Sequence, residues 1–128
     1  MSVFENFEKG KWYLSGEQPA ELNLIPWSPH PKFEGVELKH LITAKDTGGA
    51  FSYHLVRVAP QKKLEAHIHA TQLETHEIIA GKGICSTDNR KMNYEPGVIA
   101  ILPKGIEHEV SAGNEGLCIF AKFFPALC

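Results

Sequence analysis

Two histidines separated by one residue are the first feature of this sequence that could do chemistry. His67 and His69 would point to the same face of a β-strand, since side chains alternate along it. Glu74 follows after a short turn, which folds its carboxylate back beside the two imidazoles. A single histidine on a strand is more often a surface or core residue, but two imidazoles and a carboxylate together can bind one divalent cation.

A third imidazole is expected from His108. The apolar run at 98–102 predicts a buried strand, and Pro103 and Gly105 predict a tight reversal behind it. Because proline restricts its φ and glycine accepts a positive φ, the chain can turn back there and begin a new strand at His108. This strand would bring the His108 ring to the same cation.

These residues match the two motifs of the cupin superfamily, which the sequence resembles. At the intervals of the first motif, G-x5-H-x-H-x(3,4)-E-x6-G, stand His67, His69, Glu74 and Gly81. At the intervals of the second motif, G-x5-P-x-G-x2-H-x3-N, stand Gly97, Pro103, Gly105 and His108. Gln61 replaces the first glycine and Ala112 the final asparagine. Neither is a ligand position, so these departures affect turn details and leave the metal argument intact.

The resemblance covers residues 61–112 and implies a double-stranded β-helix, an all-β jelly-roll barrel with its ligands in the lumen. It implies that one divalent transition metal ion per chain is held by His67, His69, Glu74 and His108. It also places the chain among small single-domain bacterial cupins. The superfamily includes dioxygenases, decarboxylases, sugar isomerases, lyases, storage proteins and sensor domains, so the reaction stays open.

The expected metal site would be an open one. Three neutral imidazoles and one carboxylate leave a divalent ion with a net charge of about +1 and with free positions for water or substrate, which is typical of catalytic centres. Mixed nitrogen and oxygen ligands suit Mn, Fe, Co, Ni or Zn. We therefore expect a metal-dependent enzyme for a small polar metabolite, such as a sugar acid or another oxygen-rich carboxylate, acting as an isomerase, lyase or dioxygenase. The alternative is a non-catalytic small-molecule-binding or sensor module.

His76 is the expected catalytic residue. It lies two residues after Glu74, so strand alternation turns it to the same face, and an imidazole titrates near neutral pH. It would serve as a general acid or base beside the metal, or it would orient Glu74 from behind. A hydrogen-bonded lumen histidine without a function is the third interpretation.

Four other polar residues have open assignments. His40 and His54 lie on apolar strand faces and are candidates for the lumen, with ordinary core positions as the alternative. Arg57 alternates to the opposite face from His54, where it would bind a substrate carboxylate only if that face lined the lumen, and would otherwise extend along the surface. His30 is expected in solvent.

The composition is that of one globular domain. The chain has 128 residues, of which 43% are hydrophobic and 22% charged. A net charge of −2 without a basic run argues against nucleic acid as a partner. Neither a membrane span nor a secretory signal is visible. The widely spaced cysteines favour reduced thiols and a cytoplasmic location, with Cys85 and Cys118 in the core and a catalytic thiol as the alternative.

The elements that must position the site are short strands. Alternating or apolar runs predict them at 36–44, 51–59, 64–70, 75–81, 83–87, 98–102, 108–112 and 117–124, with a loop at 45–49 and a hairpin turn at 88–91. So many strands in a small chain indicate a sandwich or barrel. Four prolines between positions 19 and 33 predict an extended arm, so that residues 1–35 form an N-terminal arm on a barrel at 36–128.

The last predicted strand is rich in aromatic side chains. It carries Phe120, Phe123 and Phe124 near the end of the chain. An apolar strand exposed at a sheet edge needs a cover, and a second copy of the chain would supply it. The sequence therefore predicts a homodimer.

Overall fold

The computed structural model of the protein describes residues 2–88 and 90–128. The elements in chain order are α1 (Val3–Lys9), β1 (Lys11–Trp12), β2 (Ala20–Glu21), a 3-10 helix (Leu22–Leu24), β3 (Ser28–Pro29), β4 (Val36–Ile42), α2 (Ala44–Thr47), β5 (Ser52–Val58), β6 (Lys63–His67), β7 (Leu73–Thr87), β8 (Arg90–Tyr94), β9 (Ile99–Leu102) and β10 (His108–Phe124). None of the described helices has the length and apolarity of a membrane span.

Strands β1 and β2 pair with each other in a small separate sheet, and the remaining strands form one eight-stranded antiparallel sheet that curls into a barrel. Its main path runs β3-β4-β5-β10-β7-β8, while β6 also pairs with β10 and β9 also pairs with β7. The two long strands β7 and β10 therefore change partners along their length, which carries them from one wall of the barrel to the other. This arrangement confirms the predicted all-β double-stranded β-helix.

Each of the long strands was predicted as two. Residues 75–81 and 83–87 belong to the single strand β7, and residues 108–112 and 117–124 belong to the single strand β10. Gly81 and Gly116 both have a φ of +78° where the register between the strands shifts. The glycines bend the strands as β-bulges without ending the pairing, because the chain continues in the sheet on both sides.

The barrel interior holds the larger core. Strand β5 alternates as predicted, with His54, Val56 and Val58 buried on the inner side. Strand β4 departs from the predicted alternation, because a register shift between His40 and Ile42 turns Ile42 to the outer cluster with the buried Leu41.

A second, smaller core lies on the outer side of the sheet. Leu22, Leu41, Leu55 and Phe120 are buried there under the N-terminal residues. The Trp12 indole N–H donates to the Leu41 carbonyl at 2.9 Å, and the Trp27 indole N–H donates to Glu8 Oε2 at 2.9 Å. The first residues are thereby attached to β4 through side chains as well as through the pairing of β3 with β4.

The segment predicted as an extended arm is only partly extended. Residues 19–33 contain the 3-10 helix, and α1, which begins with a capping box between Ser2 and Glu5, precedes them. The predicted loop at 45–49 likewise begins with α2, for which Thr43 and Asp46 form a capping box. Of the predicted hairpin turn at 88–91, Arg90 and Lys91 belong to β8, and Asn89 lies outside the described residues.

The predicted exposed terminal strand is a central one. Strand β10 pairs with β5, β6 and β7, and Phe120 and Phe123 are buried. Only Phe124 is exposed, at 36%. Phe120 and Phe123 therefore belong to the two cores, and the strand provides no edge for a partner.

Candidate metal centre

Three strands and one turn bring four donor side chains together at one end of the barrel. His67 ends β6, His108 begins β10 directly opposite it, and Glu74 is the second residue of β7. His69 lies just beyond β6, where its carbonyl accepts the Gly105 N–H at 2.9 Å. The predicted reversal with Gly105 at a φ of +80° thus also holds the segment that carries His69.

The donor atoms of these four residues all lie within 4.8 Å of one another. The His67 ring centroid is 4.3 Å from that of His108 and 5.1 Å from that of His69. Glu74 Oε1 lies 3.2 Å from His108 Nε2 and 3.8 Å from His69 Nε2. Ile68, which lies between the two histidines just after the end of β6, is 53% exposed.

Two buried polar atoms of the cluster have no hydrogen-bond partner among residues 2–88 and 90–128. They are Glu74 Oε1 and His108 Nε2, which face each other without the alignment of a hydrogen bond. Buried polar atoms without a partner are rare because their desolvation costs free energy. A cation between these atoms would satisfy both, so the donor set fits a metal ion.

The backbone sets the tautomers of two of the imidazoles. His67 Nδ1 lies 2.7 Å from the Glu65 carbonyl, and His108 Nδ1 lies 3.2 Å from the Ile106 carbonyl. A carbonyl oxygen only accepts hydrogen bonds, so the proton of each neutral ring sits on Nδ1. The Nε2 lone pairs are therefore free for a cation, as in known histidine metal sites.

A hydrogen-bonded chain orients the carboxylate from behind. His76 Nε2 lies 2.9 Å from Glu74 Oε2, and His76 Nδ1 lies 2.8 Å from the Tyr94 hydroxyl. Since a carboxylate accepts, His76 donates from Nε2 and accepts the Tyr94 O–H at Nδ1. The expected shared face of Glu74 and His76 is thus observed, and both nitrogens of the His76 ring are engaged.

The protonation states of the cluster favour ligation. Burial would raise the pKa of the Glu74 carboxyl, but the His76 and His108 rings beside it lower that pKa below its usual range. Burial lowers the pKa of His67 and of His69. Burial also acts to lower the pKa of His108, but the Glu74 carboxylate raises it on balance. A cation that binds here would displace any proton held by His108.

The cluster opens into a cavity of about 80 Å³ in the barrel. Its walls are mainly apolar, with Val56, Ile119 and Phe123 among them. His40 and His54 line this cavity, in agreement with the interpretation that they face the lumen. His30 also lines it, although it was expected in solvent. The His30 ring instead stacks on Phe33 at a centroid distance of 4.5 Å, which places it over the barrel.

Arg57 lies outside the cavity. Its guanidinium stacks on the Trp27 ring at 4.0 Å, and its Nε lies 2.8 Å from Glu37 Oε1. Strand alternation directs it to the outer face of β5, so it cannot bind a substrate in the lumen. Among the described residues that line the cavity, none is a lysine or an arginine.

The three cysteines are free thiols. Cys85 is fully buried, as predicted, whereas Cys118 is half-buried. Burial raises the pKa of both thiols, so they are not thiolates at neutral pH. The geometry therefore offers no support for the alternative of a catalytic thiol at these positions.

Sequence reasoning missed Tyr94 as part of the site. Tyr94 ends β8 and is buried, and it reaches His76 because β8 pairs with the second half of β7. The sequence marks it only as the first residue of a turn, Tyr-Glu-Pro-Gly. Its contact with a residue 18 positions away depends on strand pairing and has no local signal.

The fold has known counterparts. A predicted oxalate decarboxylase from Thermotoga maritima has a TM-score of 0.72 at 19% identity, over 80% of this chain and 95% of its own. KdgF from Halomonas sp. has a TM-score of 0.70 at 15% identity, over 80% and 90% of the two chains. Ectoine synthase from P. lautus has a TM-score of 0.67 at 19% identity, over 73% and 67%. At such identities the similarity shows the fold alone.

The family is shown by the sequence itself. No curated protein matches the chain. The family model of the cupin domain, however, matches residues 54–121, which is more than half of the chain and includes all four donor residues. The chain belongs to the cupin family.

Proposed function

We propose that this protein is a metal-dependent enzyme that acts on a small oxygen-rich carboxylate. The observation that carries the proposal is the pair of buried, unpartnered atoms, Glu74 Oε1 and His108 Nε2, at the head of the cavity. With His67 and His69 they would hold one divalent transition metal ion, of Mn, Fe, Co, Ni or Zn. Such an ion, when bound, supplies Lewis-acid polarisation of a substrate oxygen.

The cavity supports a small substrate. A cavity of about 150 Å³ holds benzene, so the 80 Å³ space beside the cluster admits only a few non-hydrogen atoms. A larger molecule would place its reacting end inside and its remainder at the mouth. The absence of lysine and arginine from the described lining leaves the cation as the main counter-charge for a carboxylate.

The proposed substrate class is also supported by the similar structures. One of them is described as a predicted oxalate decarboxylase, whose substrate by name is a small dicarboxylate. Isomerase, lyase and dioxygenase reactions on such a substrate, including a sugar acid, are compatible with a metal in an open site. The reaction on a small oxygen-rich carboxylate would therefore be one of these three, with one of the five transition metals in the site.

The chain's own residues would position the groups. Glu74 directs Oε1 toward the cluster because His76 donates to Oε2. The catalytic acid or base role predicted for His76 stays a prediction, and its contacts favour the orienting role. Both His76 nitrogens are already engaged in hydrogen bonds, which argues against a catalytic role for this ring. The second candidate function is therefore a non-catalytic small-molecule-binding or sensor module.

The experiment begins with metal analysis of the untagged protein and of the His108→Ala variant. We expect the wild type to bind one more transition metal ion per chain than His108→Ala. The matched control His30→Ala removes another cavity imidazole and keeps the wild-type metal content. An equal metal content in wild type and His108→Ala would reject the centre.

The metal-loaded protein is then screened with oxalate, keto acids and sugar acids. We expect one class to raise the unfolding temperature and to yield a product detected by mass spectrometry. Stabilisation without product identifies the binding module instead. No stabilisation and no product with any of these acids would reject the substrate class.

We further propose a homodimer in the cytoplasm. The free thiols support a reducing compartment. Support for self-association comes from β9, which pairs only with β7 within the described chain and exposes Ile99 and Ile101. The terminal strand is buried and so does not support a homodimer.

A further inference from the structure

A second group of metal-ligating side chains lies outside the centre described above. His40 on β4 faces His54 on β5 in register, and their Nδ1 atoms lie 2.7 Å apart. Cys128 Sγ lies 3.9 Å from His40 Nδ1. The donor atoms of the three residues are all within 4.8 Å of one another.

The backbone near Cys128 is held against the barrel by three hydrogen bonds. The Ala44 N–H donates to the Cys128 carbonyl at 2.6 Å, and the Ala126 N–H donates to the Gly49 carbonyl at 3.1 Å. The Leu127 N–H donates to Ser52 Oγ at 2.8 Å. The backbone that carries the Cys128 thiol is therefore fixed beside the histidine pair.

The histidine pair is prepared in the same way as known metal ligands. His54 Nε2 lies 2.8 Å from Ser52 Oγ, the hydroxyl that already accepts the Leu127 N–H. When this hydroxyl also accepts from His54 Nε2, the His54 Nδ1 lone pair points at His40 and Cys128, and the ring orientation is fixed from behind. His54 is buried, His40 is half-buried and Cys128 is exposed, which provides a path from solvent.

We propose that His40, His54 and Cys128 form a second metal site, which takes a borderline-soft divalent cation of the Zn²⁺ type. Two imidazoles and a thiolate are a donor set for such cations and not for Mg²⁺ or Ca²⁺. Three protein ligands leave the fourth position of a tetrahedral ion to water or to an incoming ligand.

The distances require only small side-chain shifts. With Zn–N of about 2.0–2.1 Å and Zn–S of about 2.3 Å, a tetrahedral ion separates two nitrogens by roughly 3.3 Å and a nitrogen and a sulfur by roughly 3.5 Å. The His40 Nδ1–H that bonds His54 Nδ1 at 2.7 Å would give up its proton, with His40 taking the tautomer protonated on Nε2, and the two nitrogens would move apart. The sulfur, at 3.9 Å from His40 Nδ1, would approach. Rotation of the exposed Cys128 side chain and of the half-buried His40 ring suffices.

The second site is separate from the first. The Phe123 ring lies between them, with centroid distances of 5.5 Å to His54 and 4.9 Å to His69. Both groups nevertheless contact one cavity, which His54 and Glu74 both line. Two ions, one in each site, would therefore lie at different places along the same cavity without sharing a ligand.

Co²⁺ titration of the untagged full chain distinguishes the two sites. A thiolate bound to Co²⁺ gives a near-ultraviolet charge-transfer band, and only the second site contains a thiol. Under argon with a phosphine reductant, we expect the wild type to bind two Co²⁺ ions and to show this band. Cys128→Ser should bind one ion and lose the band, while the matched control Cys118→Ser should resemble the wild type.

The variant His108→Ala separates this proposal from the proposed function. It should lose the ion of the first site and keep the band. A band that is absent from the wild type, or that persists in Cys128→Ser, would overturn the second site and leave the first unaffected. Retention of two ions in His108→Ala would instead count against the first site.

Discussion

The two carboxylate oxygens of Glu74 have different surroundings. Oε2 accepts from His76, while Oε1 faces His108 and His69 without a hydrogen bond. The side chain is buried, so its rotamer is set by these neighbours and by the packing of β7. One oxygen thus serves to hold the side chain in place, and this leaves the other available to a cation.

The residue-scale prediction concerns His76→Ala. Loss of the Nε2–H donor frees Glu74 to rotate, so we expect the affinity of the first site for Co²⁺ or Zn²⁺ to fall about 10–100-fold. The measurement is competition with a chromophoric chelator. His30→Ala, which removes a cavity imidazole without a contact to Glu74, should bind as the wild type does.

An unchanged affinity in His76→Ala would contradict the orienting role. Combined with a loss of turnover on an identified substrate, that result would favour the acid or base role instead. The two roles are therefore separated by the metal affinity, which a group acting only on the substrate would not alter.

At the scale of the elements, the turns and bulges determine where the strands place their side chains. Gln61 stands where the first cupin motif has glycine, and its φ is +65°. A side chain in this left-handed region costs about 1–2 kcal/mol. Gln61 therefore adopts the turn conformation expected of the motif glycine, and this lowers the stability of the folded protein.

Gln61→Gly should stabilise the protein. We expect a gain of about 1 kcal/mol in the free energy of unfolding, because glycine relieves the strain but adds freedom to the unfolded chain. Urea denaturation measures this. Gln61 also donates to the Asn114 side chain, but that bond is exposed and contributes little. A clear destabilisation by Gln61→Gly would show that this bond outweighs the strain.

The two motif glycines in β7 and before β9 should respond differently to alanine. A Cβ on Gly81 would lie 2.1 Å from the Gly116 carbonyl oxygen, whereas a Cβ on Gly97 meets nothing within 4 Å. Both have positive φ, so Gly97→Ala should cost about 1–2 kcal/mol from strain alone. Gly81→Ala should cost about 3 kcal/mol or more, since the overlap in the bulge adds to the strain.

The comparison is made by urea denaturation of both variants. If Gly81→Ala does not accumulate as folded protein while Gly97→Ala does, the larger loss of stability at Gly81 is still demonstrated. Equal and small losses of stability in the two variants would contradict the role assigned to the bulge.

At the scale of the whole molecule, the N-terminal residues cover one part of the outer surface, whereas β9 leaves apolar side chains exposed. The N-terminal residues bury Leu55 and Phe120 on the outer side of the sheet. The described residues do not cover β9 in this way, and its Ile99 and Ile101 are 67% and 66% exposed. Apolar side chains on an edge strand favour association with another strand.

The oligomeric state follows as a prediction. Light scattering at micromolar concentration should give twice the chain mass of 14.2 kDa. The double variant Ile99→Lys/Ile101→Lys should give the single mass, because charges on the edge oppose pairing. Leu24→Lys, at another exposed apolar residue, is the control and should remain dimeric. A wild type of single mass would reject the homodimer.

Much of the architecture and the composition of the first cluster could be predicted from the sequence. Alternation along a strand places Glu74 and His76 on one face, and the Pro103–Gly105 reversal precedes His108. These are local rules, which act over a few residues and leave a visible pattern. The same rules failed at Gly81 and Gly116, because a glycine that ends a strand and one that bends it have the same local signature.

What only the tertiary structure decided is which distant residues meet. The pairing of β7 with β8 brings Tyr94 to His76, and the pairing of β4 with β5 brings His40 to His54. The position of Cys128 beside that pair depends on hydrogen bonds to Ala44, Gly49 and Ser52. Strand partners are chosen by the burial of both cores at once, a property of the whole chain, so no stretch of the sequence contains it.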